Sequence, residues 1–201
     1  MNTVRASSRD RLLDAAAELF YSGGVHVGVQ ALCAAAGVSK RSMYQEFATK
    51  DELVAASLER SGPRYNALFL PEEADERTPR ERILHVFERL EARSGSDRYR
   101  GCPFVSTAME LKDITHPASD VARRFKQQLT DFFEQQAGLA GAADPALLAR
   151  QLTVVFDGAG ARAVVSGKPL AGLALATATT LVDAATGGSS GETGRPRLSP
   201  G

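Results

Sequence analysis

The sequence predicts an all-α protein of about nine helices, and three features of it carry that prediction. Helix-start signals recur along the chain, where a Ser, Thr or Asp cap is followed by an acidic residue or a proline. Apolar residues between these signals return every three or four positions. No segment shows the strict alternation of a half-buried strand.

Taken in order, Ser7 and Asp10 have the spacing of a capping box, and Leu12, Ala16 and Phe20 then line one face of a first helix. Gly23-Gly24 ends it, because glycine tolerates the left-handed conformation that closes a helix. A short second helix is expected from about Val29 to Ala36, stopping at Gly37, and Ser39 caps a third that runs to about Phe47. Thr49 and Glu52 open a fourth toward Arg60 and Leu68. The stretch from Gly62 to Arg77, mixed in prolines and acids, reads as a helix end and a linker. Thr78-Pro79-Arg80-Glu81 then supplies a cap, a proline at the first helical position and a glutamate at the third. Phe104 to Leu111 is a short apolar helix, and Pro117 opens a longer one bearing Val121, Phe125, Leu129, Phe132 and Phe133. Asp144-Pro145 starts the eighth helix, Pro169 the ninth, which ends near Thr186. The tail 187–201 is rich in Gly, Ser and Pro and is expected to be disordered.

Composition excludes more than it assigns. The 24 basic and 24 acidic residues balance, so bulk charge announces no nucleic-acid partner, although a local patch is compatible with a zero average. The two cysteines, Cys33 and Cys102, lack metal-ligand spacing and suit a reducing compartment, so neither a metal nor a disulfide framework is expected. The N-terminus carries no apolar signal-peptide core. The longest apolar run, Leu170 to Val182, is shorter than the roughly 20 residues a bilayer span needs. The expectation is a soluble, cytoplasmic protein without a cofactor. No Ser/His/Asp order, paired carboxylates or Gly-rich phosphate loop stands out, so an enzyme is not expected.

The informative segment runs from Gln30 to Val54. Two short helices flank Gly37-Val38, a connection of helix-turn-helix length. Packing by Leu32, Val38, Met43 and Phe47 leaves Lys40, Arg41, Ser42, Tyr44 and Gln45 facing outward near the start of the second helix. A helix so placed lays its N-terminal residues against base edges in the major groove. The run AAGVSKRSMYQEFATKDEL resembles the signature of the tetracycline-repressor (TetR) family, with Tyr-x-x-Phe followed by a lysine and an acidic pair. RLLDAAAELFYSGG upstream is similar to that family's first helix, and the match covers about residues 9 to 58.

The resemblance implies a DNA-binding domain over 1–55, a helical ligand-binding and dimerisation domain over 56–186, and a ligand-responsive regulator, commonly a repressor. It places Tyr44 and Lys50 on phosphates, Ser39 and Ser42 on the DNA backbone, and Lys40 and Arg41 on bases, where arginine can pair with guanine O6 and N7. Gln30 is a further candidate base contact. Gly28 stands where the family often has Thr or Ser, so that phosphate contact is not carried over. Lys50 opens a helix against its dipole, which calls for a compensating partner such as phosphate. Arg5, Arg9 and Arg11 read either as a basic arm or as a solvated terminus.

The same resemblance implies a homodimer built on the last two helices, a palindromic double-stranded operator, and a small-molecule inducer in a pocket of the middle helices. Phe87, Cys102, Phe104, Met109, Phe125 and Leu129 are the candidate lining, and they serve equally as core. Leu148, Leu152, Val155 and Phe156 form a stripe that continues into Gly158, Ala159 and Gly160, and the last helix is apolar around most of its surface. Two alternatives stand beside this reading. Cys102, at a helix start near arginines that would lower a thiol pKa, suits a redox or electrophile sensor, although packing explains it as well. A helical small-molecule-binding protein without DNA affinity is the other. His85 and His116 either line a cavity or cap and face solvent, and His26 lies in the loop before the second helix.

Overall fold

The computed structural model describes residues 6–187, and within them the chain forms nine α-helices and no strand. The first four are α1 (Ser8–Gly23), α2 (Val29–Ala36), α3 (Lys40–Glu46) and α4 (Lys50–Asn66). The rest are α5 (Pro79–Ser94), α6 (Pro103–Leu111), α7 (Pro117–Leu139), α8 (Pro145–Ser166) and α9 (Leu173–Gly187). The expected disordered tail, Gly187 apart, lies outside the described residues; Gly187 itself closes α9.

Local chemistry accounts for most of the boundaries. The side chains of Ser7, Ser39, Thr49, Thr78 and Asp144 each accept a backbone N–H of the first turn they precede, a bond whose loss typically costs about 1 kcal/mol. At Thr78 the box is reciprocal, with Glu81 reaching back to the Thr78 N–H at 2.8 Å. His116 caps α7 through Nδ1, which accepts the Ala118 N–H at 3.1 Å.

One boundary falls inside the sequence reading and one differs from it. α4 runs through Gly62-Pro63 to Asn66, between the expected ends at Arg60 and Leu68, so the first part of the stretch 62–77 is helix. Pro63 withholds an N–H from the ladder and crowds the carbonyl one turn before it, and packing of α7 on α4 offsets that cost. α9 begins at Leu173 rather than Pro169, after a turn in which Ala171 and Gly172 take φ of 53° and 85°. Glu91 of α5 sets that start: its carboxylate accepts the N–H groups of Gly172 at 3.0 Å and Ala174 at 2.8 Å. A carboxylate there satisfies orphan donors and complements the positive end of the dipole.

Three apolar clusters fill the interior. Leu12, Leu32, Met43, Phe47 and Leu53 join α1 to α3 and the start of α4. Leu58, Cys102, Phe104, Val121 and Phe125 join the middle of α4 to α6 and α7. Ile83, Phe87, Phe133, Leu152, Phe156 and Val182 unite α5, α7, α8 and α9. α4 therefore belongs to both of the first two clusters through residues five positions apart.

The C-terminal helices divide their faces differently from expectation. Leu148, Leu152, Phe156 and Gly160 point into the protomer's own core, and a side chain at Gly160 would meet the Tyr99 hydroxyl at 2.9 Å. The opposite face of α8 is apolar and open, with Val154 71% and Val165 88% exposed. α9 buries only the stripe of Ala174, Ala178 and Val182, leaving Leu173, Ala176 and Ala184 outside. The last helix is thus not enclosed on several sides within one chain.

Candidate nucleic-acid interface

The α2–α3 unit is fixed by its turn and its buried face. Gly37 adopts φ 62° and ψ 42°, and the Val38 N–H reaches back to the Cys33 carbonyl at 3.0 Å, a six-to-one closure that requires a left-handed residue. Ser39 then restarts the helix by accepting the Ser42 N–H at 3.0 Å, with the two hydroxyls 3.0 Å apart. Leu32 and Met43 are fully buried and Phe47 nearly so, while Val38 packs at their edge. That burial sets the roll of α3 about its own axis.

What the roll leaves outside is polar. Lys40, Arg41 and Gln45 are exposed, Tyr44 is half exposed, Ser42 is half buried, and Gln30 is exposed in the first turn of α2. Among the described residues none of the side chains of Gln30, Lys40, Arg41, Tyr44 or Gln45 makes a hydrogen bond or ion pair. Ser39 and Ser42 spend part of their capacity on the cap. Arg9 belongs to the folded unit: its guanidinium lies 4.4 Å from the centre of the Phe47 ring and donates to the Glu46 carbonyl at 3.3 Å. Arg11 likewise sits in α1, beside Ser8. Neither extends as an arm, and Arg5 lies outside the described residues.

Lys50 has a partner inside the chain. Its ammonium donates to the Val25 carbonyl at 2.6 Å, so the loop before α2 supplies an oxygen that offsets the unfavourable helix dipole. The Val25 N–H in turn donates to Glu110 of α6 at 2.8 Å. Val25 is therefore held through both of its backbone polar groups, in the two successive peptide units that flank its Cα, and Glu110 was missed by sequence reasoning. Its signal in the sequence is its place: an acid in the last turn of a helix is opposed by the dipole, as a lysine is in the first. A second tie joins α1 to the loop before α6: the Arg100 N–H donates to the Tyr21 hydroxyl at 2.9 Å. A third approach brings His116 Nε2 of α7 within 3.4 Å of Asp51 at the head of α4.

The six candidate pocket residues do not surround one cavity. Phe87 is fully buried in the C-terminal core, stacked on Phe133 with ring centres 5.7 Å apart. Cys102, Phe104, Phe125 and Leu129 enclose a void of only about 10 Å³, closed by the stacking of Phe104 on Phe125 at 4.8 Å. Met109 is 69% exposed on the outside of α6. A cleft of about 440 Å³ lies between α1, α4 and α6, and His26 is on its wall. Cys102 is buried, and burial pushes its thiol above the usual value despite Lys126 nearby, the opposite of the expected lowering. His85 is held below the usual imidazole value, mainly by burial. No described cluster of three or more His, Cys, Asp or Glu could hold a metal, and no described helix is long and apolar enough to cross a membrane.

Among the described residues the chain is all-helical, with a helix-turn-helix whose second helix presents cations and amides without partners, the arrangement seen in DNA-binding transcriptional regulators. Residues 12–57 match the model of bacterial regulatory proteins of the tetR family. A crystal structure assigned as a TetR transcriptional regulator from Streptomyces avermitilis is 55% identical, with 90% of this chain and 98% of that one aligned at a TM-score of 0.87. The chain belongs to the TetR family. A TetR-family regulator of Streptomyces coelicolor shares the fold at a TM-score of 0.80 over 89% of this chain and 96% of that one, with 23% identity. The HTH-type transcriptional regulator YjdC of Escherichia coli is 27% identical over 89 residues, 44% of this chain. The chain spans about half the length, 47%, of that curated relative.

Proposed function

We propose that this regulator binds a palindromic operator as a homodimer and is released by a small-molecule inducer, so that it represses in the inducer's absence. The observation that carries the reading is α3 itself. Its buried side is locked by Leu32, Met43 and Phe47, and Lys40, Arg41, Tyr44 and Gln45 stand outside without partners among the described residues. Lys40 and Arg41 read bases, with Gln30 and Gln45 beside them; Tyr44, Ser39 and Ser42 meet the backbone; Lys50 keeps two donors for phosphate beyond the one given to Val25.

The open apolar faces of α8 and α9 support pairing with a second copy, which a two-fold reader needs to set two recognition helices about 34–36 Å apart. Residues 1–55 act as the reading unit and 56–186 as the sensing and pairing unit. α4 crosses that boundary, with Leu53 in one cluster and Leu58 in the next, so a shift among α4, α6 and α7 moves the reading unit. An inducer that prefers the shifted arrangement lowers DNA affinity by its differential binding free energy.

Selection of random duplex DNA by the purified chain, followed by sequencing, tests this. A palindromic motif whose retention weakens with salt is expected. No enrichment at low and moderate salt would sink the reading. The alternative of a thiol sensor at Cys102 finds no support in a buried thiol whose pKa is raised.

A further inference from the structure

We propose that the cleft between α1, α4 and α6 is an effector site for a small organic cation with an apolar body, and that Glu110 receives its charge. At about 440 Å³ the cleft is within the ordinary range of ligand pockets. Phe20, Val54 and Leu58 give it apolar walls, and Thr107 of α6 is buried on its side with a hydroxyl that makes no hydrogen bond among the described residues. Glu110 stands over the α1–α2 turn so closely that a side chain at Gly24 would lie 2.6 Å from Oε2 and 3.0 Å from Oε1. No lysine or arginine among the described residues pairs with it. The other charged group of the lining is Arg100, with the imidazole of His26 also on the wall, and Arg100 lies beyond the opposite end of α6, its Nη1 given to the carbonyls of Asp97 at 2.7 Å and Tyr99 at 3.0 Å.

An exposed carboxylate alone holds a cation weakly. An apolar body buried against the walls supplies most of the affinity, the charge supplies the selectivity, and the rings of Phe20 and Tyr21 suit a cation better than an anion. The effect on DNA rests on the function proposed above. A cation on Glu110 competes with the Val25 N–H, and the loop leading into α2 then loses its tie to α6 while keeping that to Lys50.

Benzyltrimethylammonium, benzyl alcohol and phenylacetate titrated calorimetrically into the full chain without DNA test the site. Saturable binding of the ammonium, at least tenfold tighter than either comparator, is expected. Glu110→Gln should weaken it at least tenfold, and Ser106→Phe, which fills the cleft and keeps the carboxylate, should abolish it in a variant whose thermal melt shows it folded. Absence of saturable ammonium binding, preference for phenylacetate, or an unchanged Glu110→Gln variant overturns the proposal. Lowered retention of selected DNA by the ammonium supports the Val25 link, and undiminished retention overturns that link. Ammonium binding by a chain that retains no DNA at all leaves the cleft standing and removes the DNA reading instead.

Discussion

The Phe125 ring of α7 lies directly over the Cα of Gly62 in α4, leaving no room for a side chain between the two helices. Gly62 is buried in mid-helix, where alanine would ordinarily stabilise by about 1 kcal/mol. Here a methyl group must displace a ring that is itself stacked on Phe104. Gly62→Ala is therefore expected to destabilise the chain by about 2 kcal/mol or more, by overpacking. Urea unfolding gives the sign directly, and a stabilised variant would show that α4 and α7 are not in this contact.

That same pair marks the limit of what the sequence discloses. The α2–α3 unit was legible because Gly37, Ser39 and the Leu32–Met43–Phe47 spacing act within a few residues of each other. Gly62-Pro63 reads as a breaker locally, and only Phe125, far along the chain, gives the glycine its packing role. The start of α9 depends on Glu91 in the same way, and the place of Lys50 on the Val25 carbonyl. An aromatic residue has one composition whether it lines a pocket or fills a core, so Phe87 and Phe104 carried no local sign of being core. The arginines near Cys102 in sequence suggested an acidic thiol, whereas its burial in the fold decides the outcome.

Stability is expected to fall in alkali. Burial raises the pKa of the Cys102 thiol and of the Tyr65 and Tyr99 phenols in the folded chain. The native state then keeps protons that the unfolded chain releases from about pH 8.5 for a thiol and about pH 10 for a phenol. The contribution of these groups is complete below those values and is lost as pH climbs through them toward the raised native ones. Thermal melts between pH 7.5 and 10.5 should show the decline, and Tyr99→Phe should make it shallower. An equally steep decline in that variant would mean that Tyr99 ionises as freely in the native state as outside it.

Two substitutions on α3 should separate base reading from phosphate contact. Arg41→Ala is expected to cost about 1–3 kcal/mol on the selected duplex and to relax preference at one position of each half-site. Tyr44→Phe keeps the half-exposed ring and removes only the hydroxyl, so it should weaken binding evenly across sequences. Affinities of both variants on the selected site and its single-base changes decide the matter. An altered base preference for Tyr44→Phe, or an unaltered one for Arg41→Ala, would reverse the roles.

The apolar outer face of α8 gives the last prediction. A valine that is 71% exposed contributes little to its own protomer's core, so Val154→Asp should leave the thermal unfolding of an isolated chain nearly unchanged. If α8 meets its copy there, the same change buries two carboxylates against each other across a two-fold axis and should weaken association at least tenfold. Loss of operator binding follows, because one recognition helix alone holds only half of a palindrome. Sedimentation of the wild type and of Val154→Asp over a range of concentrations reads the association directly. A variant that still dimerises as tightly as the wild type would move the interface off this face of α8, and a variant that becomes monomeric yet keeps full operator affinity would separate pairing from DNA recognition.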